Sequence, residues 1–222
     1  MIAGIIFDMD GTLIDSEPLW RKAEVAGFEK VGIKLTAKML AEHTAGMRND
    51  EVVKYWFNHF KKEKGPDAKK VQTAILEKVK ELIEIDGKKR ALPGLDYIFH
   101  FFQEKNIPIA LASSSPADII NLTLKAIGIS DKFIIKCSAE SESYGKPNPA
   151  VFIQTAKAMN ISVENILVFE DSLNGVLAAK SAKMKCVALP ANHDYEKAAF
   201  AIADIKLKSL FDFTDDIFKK LY

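Results

Sequence analysis

The feature that most constrains this chain is a set of short apolar runs, each stopping at a polar cluster. They span residues 2–7 before Asp8, 107–112 before Ser113, 166–169 before Glu170 and 185–189 before Pro190, with 134–137 a candidate fifth. All but the first follow a stretch with helical character. Continuous apolar strands alternating with helices imply an α/β fold with a parallel sheet covered on both faces. Ligands of such sheets bind beyond the carboxyl ends of the strands, where the polar clusters lie.

The spacing of the runs is uneven. Residues 8–106 separate the first from the second, and this gap reads mainly as helices over 19–31, 49–61 and 68–85. Val52, Val53, Trp56, Phe57 and Phe60 recur at helical intervals in the second, as do Val71, Ile75, Val79, Leu82 and Ile83 in the third. Such stripes suit the core of a small helical bundle better than a cofactor box. The lysine-rich segment 61–70, with Gly65 and Pro66, reads as a solvated turn between helices. Residues 86–90 with Pro93 and Gly94 mark the return to the sheet. The expected division is therefore a core of residues 1–13 and 88–222 and an inserted α-helical cap of residues 14–87.

Composition narrows the partners. The 222 residues hold 31 basic and 30 acidic side chains, so no global field recruits nucleic acid or an acidic membrane. Two cysteines, Cys137 and Cys186, exclude a disulfide framework and favour a reducing compartment. The first apolar run meets Asp8 and Asp10 too early for a signal peptide, and no run reaches the ~18 residues of a membrane span. The expectation is a cytoplasmic protein, monomeric or weakly dimeric.

The chemistry lies at the strand ends. Asp8 and Asp10 stand two residues apart after the first run; alone, Asp-x-Asp-Gly is also a turn motif. Carboxylates this close repel unless a cation or a shared proton compensates. Glu170 and Asp171 end another run and are equally compatible with a helix start. Together these acids offer hard oxygen ligands with no histidine partner, a donor set that suits Mg2+ better than zinc and points to phosphoryl chemistry. Ser113 and Ser114 offer hydroxyl and backbone N–H groups to an anion or, more simply, cap a helix. Lys146, in Gly-Lys-Pro-Asn-Pro, alone would be a surface lysine. No nucleotide-binding glycine motif occurs, and His43, His59, His100 and His193 are scattered.

Asp8-Met9-Asp10-Gly11-Thr12, Ser113, Lys146-Pro147 and Glu170-Asp171 resemble the four ordered motifs of the haloacid dehalogenase superfamily, in its phosphatase branch. Residues 13–20, Ala45-Gly46-Met47-Arg48 and 169–175 are similar to the beta-phosphoglucomutase-like sugar phosphatases. The resemblance implies a Rossmann-like core with a helical cap, Mg2+ as cofactor and a small phosphorylated sugar as substrate. It implies Asp8 as nucleophile, Asp10 as acid and base, and Asp8, Asp10 through its carbonyl, Asp171 and Glu170 around the metal. Ser113, Ser114 and Lys146 would hold the phosphoryl oxygens, and Trp20, Met47 and Arg48 would face the sugar, Arg48 being equally readable as a helix-start charge. True beta-phosphoglucomutases carry a histidine where Trp20 stands and usually lack Thr12. An indole N–H cannot relay a proton as imidazole can, which favours a phosphatase over a phosphomutase. A non-catalytic phosphate-binding module is the more distant alternative.

Overall fold

The computed structural model describes residues 1–44, 46–61 and 66–221. Six strands form one sheet: β1 (Gly4–Phe7), β2 (Ile109–Ser113), β3 (Ile135–Ser138), β4 (Ile166–Glu170), β5 (Lys185–Ala188) and β6 (Ile205–Lys206). Their order is β3-β2-β1-β4-β5-β6, with every neighbouring pair parallel. The order reverses between β1 and β4, the point beyond whose strand ends ligands of such sheets bind.

The continuous apolar runs are explained by burial on both faces. Ile5, Phe7, Leu111, Leu167, Phe169 and Val187 belong to one apolar cluster, whereas Ile6, Ala110, Ala112, Val168, Cys186 and Ala188 belong to the other. The first face is aromatic. Phe7 stacks on Phe169 with ring centroids 4.7 Å apart and meets Phe99 edge-on at 5.6 Å. Each such pair adds about 1 kcal/mol beyond its buried area. α5 (Leu95–Glu104), α6 (Ala117–Ala126) and α9 (Asp215–Lys219) cover this face. The second face is lined by small residues, which let α7 (Ala150–Met159) and α8 (Leu173–Ser181) pack closely through Phe152, Ala156, Val176 and Ala179.

Between β1 and β2 stand α1 (Glu17–Glu29), α2 (Ala37–His43), α3 (Asn49–His59) and α4 (Pro66–Asp86). α1 begins two residues before the sequence expectation because Pro18 suits a first helical turn. α2 has only one fully buried side chain, Leu40, so its sequence carries no periodic stripe. Trp56, Phe57, Phe28, Val71, Ile75 and Val79 join the helices into a core continuous with the aromatic face of the sheet. The chain enters and leaves this insert through paired segments: Ile14 bridges Ala91, and the Asp15 and Leu92 amides donate to the Arg90 and Leu13 carbonyls. Residues 62–65 of the expected charged turn lie outside the described residues. No helix among the described residues is long and apolar enough to cross a membrane.

Candidate active site

After Phe7 the chain turns tightly around one carbonyl. The Met9 oxygen accepts the N–H groups of Thr12, Leu13 and Ile14, while Met9 itself is buried in the core. This turn gives Asp8 and Asp10 separate surroundings beyond the strand end. Gly11 makes it possible: its φ is +86°, and any side chain there would overlap the Asp171 carboxylate.

Asp8, Lys146 and Glu170 are brought together from three distant segments, and only 5%, 5% and 1% of their surfaces are exposed. Lys146 Nζ donates to Asp8 Oδ1 and to Glu170 Oε1, both at 2.5 Å, and lies 4.8 Å from the centre of the Phe152 ring. The other Glu170 oxygen accepts the Ser172 N–H at 2.8 Å and its hydroxyl at 3.0 Å. Ser172 in turn caps α8 by accepting the Gly175 N–H. Glycine at position 175 leaves the space that the Glu170 carboxylate fills.

Burial pushes the Asp8 carboxyl up to about 8, with Lys146 opposing and Glu170 and Asp10 reinforcing the rise. Burial likewise holds Asp171 well above the usual carboxylate range, and the neighbouring charges of Glu170, Asp8 and Asp10 add to it. For Lys146, burial favours the neutral amine, but Asp8 and Glu170 outweigh it and keep the ammonium charged.

Asp10 has a different environment. Its Oδ1 accepts the Ser16 hydroxyl at 2.6 Å and the Trp20 indole N–H at 3.1 Å; its Oδ2 accepts the hydroxyls of Ser115 at 2.8 Å and Ser113 at 3.4 Å. Ser115 is fixed by its own N–H on Ser113 Oγ and by its carbonyl, which accepts the Ser138 hydroxyl. The Ser114 hydroxyl is buried and has no hydrogen-bond partner among the described residues.

Carboxylate oxygens of Asp8, Glu170 and Asp171 lie within 4.8 Å of one another. Three carboxyl groups converge beside one ammonium, their raised proton affinity marks a place short of positive charge, and all donors are hard oxygens. The residues therefore fit a divalent magnesium ion.

Of the residues expected to face the sugar, Trp20 touches Asp10 and Met47 is half-buried against the core. Arg48 is fully engaged elsewhere. Its guanidinium grips both oxygens of Asp50, at 2.9 and 2.8 Å, and the carbonyls of Ala139 and Glu142, at 2.8 and 2.6 Å. Sequence reasoning missed Ser16 and Ser115 as partners of Asp10, although both flank its motifs. It also missed Glu51, whose contact with Gly145 has no local signature.

A haloacid dehalogenase-like hydrolase family profile matches residues 2–183. Hexitol phosphatase B of Escherichia coli (strain K12) is 33% identical over 213 residues, which cover 96% of this chain and 95% of that protein. Validoxylamine A 7'-phosphate phosphatase of Streptomyces hygroscopicus subsp. limoneus is 30% identical, over 92% of each chain. Among solved structures, a beta-phosphoglucomutase from Clostridium difficile matches with a TM-score of 0.89 at 26% identity, covering 100% of this chain and 97% of that one. The chain thus belongs to the haloacid dehalogenase-like hydrolase family and is, by class, a phosphoric monoester hydrolase.

Proposed function

We propose that this protein hydrolyses small sugar or sugar-alcohol phosphates with Mg2+, through an aspartyl-phosphate intermediate on Asp8. The observation that carries the reading is the split between Asp8, buried against Lys146 and two further carboxylates, and Asp10, wrapped in neutral donors. One Asp8 oxygen attacks phosphorus while the bond to the sugar oxygen breaks, and Asp10 gives that oxygen its proton. Asp10, now ionised, takes a proton from the water that attacks the phosphorus and releases phosphate, which frees Asp8.

Asp8, Glu170, Asp171 and the Asp10 carbonyl would hold Mg2+, which when bound offsets the repulsion between Asp8 and the anionic substrate. Lys146, Ser113 and the Ser114 amide steady the phosphoryl oxygens, the positioning on which phosphoryl transfer chiefly depends. Residues 14–87 act as the cap that excludes water from the first transfer, with Trp20 and Met47 towards the sugar. The core is 1–13 and 88–222. Arg48 serves the sugar only if substrate draws it off the Ala139 and Glu142 carbonyls. The compartment in this reading is the cytoplasm.

A phosphomutase is the second reading, favoured by the likeness to beta-phosphoglucomutase. Trp20 speaks against it, because the group that meets Asp10 from the insert can donate a hydrogen bond but cannot shuttle a proton. A panel of hexitol, hexose and 2-deoxyglucose 6-phosphates tests both. The phosphatase reading expects inorganic phosphate release with Mg2+ and none with EDTA. Interconversion of hexose phosphates dependent on a bisphosphate primer, seen by phosphorus NMR, would replace it with the mutase.

A further inference from the structure

Helix α3 reaches the segment that carries Lys146. Glu51, in its first turn, accepts the Gly145 N–H on Oε1 at 2.9 Å and turns Oε2 back to the Arg48 N–H at 3.4 Å. Arg48, 8% exposed, holds the same segment from its other end through the Ala139 and Glu142 carbonyls. The stretch from the end of β3 to Lys146 is therefore fastened to the insert at three backbone positions. Gly145 is fitted to the contact, since a Cβ there would stand 2.5 Å from Glu51 Oε2.

We propose that Glu51 is a positioning residue: by holding the Gly145 amide it sets the backbone from which Lys146 reaches Asp8 and the phosphoryl group, so that docking of the insert and placement of the lysine are one event. This rests on the phosphatase reading of Lys146. A lysine has four rotatable side-chain bonds, so its ammonium is placed accurately only if its backbone is fixed. The neighbouring residue supplies that anchor, and the anchor belongs to the insert. A carboxylate accepting a backbone N–H makes a strong, charge-assisted bond suited to the task.

The test compares Glu51→Ala, Glu51→Gln and Gly145→Ala. Glu51→Ala should lower kcat about 10- to 100-fold with KM changed less than about threefold, because misplacing a group near the reacting atoms costs rate on this scale. Glu51→Gln keeps a carbonyl oxygen for Gly145 and should stay within about threefold of wild type. Gly145→Ala should cost activity in the wild-type background and nothing further beside Glu51→Ala, as expected when both changes break one contact. Equal losses for Gln and Ala, or additive losses in the double variant, would overturn the proposal.

Hydrogen exchange at the Gly145 amide provides a readout independent of turnover. It should be protected in wild type and in Glu51→Gln and should quicken at least about tenfold in Glu51→Ala. Unchanged exchange would overturn the contact. A wild type without phosphatase activity but with this exchange pattern would sink the catalytic reading while leaving the clasp in place.

Discussion

Asp8 and Asp10 leave the same strand two residues apart, yet their surroundings differ in kind. Around Asp8 the protein concentrates ionisable groups: the buried Lys146 and Glu170 and the half-buried Asp171. Around Asp10 it supplies neutral donors, three serine hydroxyls and an indole, from the insert's entry segment and from the β2 loop. A buried, charge-dense carboxylate suits a nucleophile that must meet an anion in the presence of a divalent cation. A carboxyl ringed by neutral donors, three of them hydroxyls, suits the proton transfer proposed for it. The contrast supports the two roles in the proposed reaction; the charged environment is built from residues far away in the chain, the neutral one from Ser16 and Trp20 nearby and Ser113 and Ser115 far away.

The largest expected effect comes from deleting the charged side of the comparison. Asp8→Asn should remove turnover, a loss of at least about 10⁴-fold in kcat, because an amide is no nucleophile here. Asp10→Asn leaves the nucleophile intact and removes only proton transfer, so kcat should fall about 10²- to 10⁴-fold with substrate binding retained. Similar residual activity in the two variants would erase the distinction.

Glu24, 8% exposed on α1, calibrates what burial does to a carboxyl without a lysine ion pair. Burial raises it to about 8, Arg21 opposing and Glu17 adding. A raised acid keeps its proton longer in the folded than in the unfolded state, so stability is lost as pH climbs from about 4.5 to about 8 and then levels. Glu24→Gln should remove that slope and gain stability relative to wild type as pH rises from about 4.5 to about 8, measured by urea unfolding at both ends of the range. The smallest effect is at the indole. Trp20→Phe deletes one hydrogen bond to Asp10, worth about 1 kcal/mol, and should slow kcat about fivefold.

The fold was largely legible because the central strands are uninterrupted apolar runs up to their last residue. β1, β2 and β4 are wholly buried and announce themselves as uninterrupted runs. β3 is an edge strand with an exposed Lys136, which makes it a weaker run, and β6 is two half-buried residues with no run at all. The charged half of the site was legible too, since Asp8, Lys146, Glu170 and Asp171 sit at strand ends or in a motif-bearing loop. The neutral half was not. That Ser115 rather than Ser114 turns its hydroxyl to Asp10, and that Arg48 spends its donors on two carbonyls, depends on how a loop curls and how the insert docks. Glu51 follows Arg48 at capping-box spacing, but its partner is 94 residues away.

The central claim, that Asp8 takes the phosphoryl group, can be tested chemically. Enzyme turning over a sugar phosphate with Mg2+ is quenched in acid and treated with borohydride, which reduces an aspartyl phosphate to homoserine. Peptide mass spectrometry should then find homoserine at position 8, only when substrate and Mg2+ are both present, and nowhere else in the chain. Phosphate release by wild type with no conversion at position 8, together with full turnover by Asp8→Asn, would contradict it.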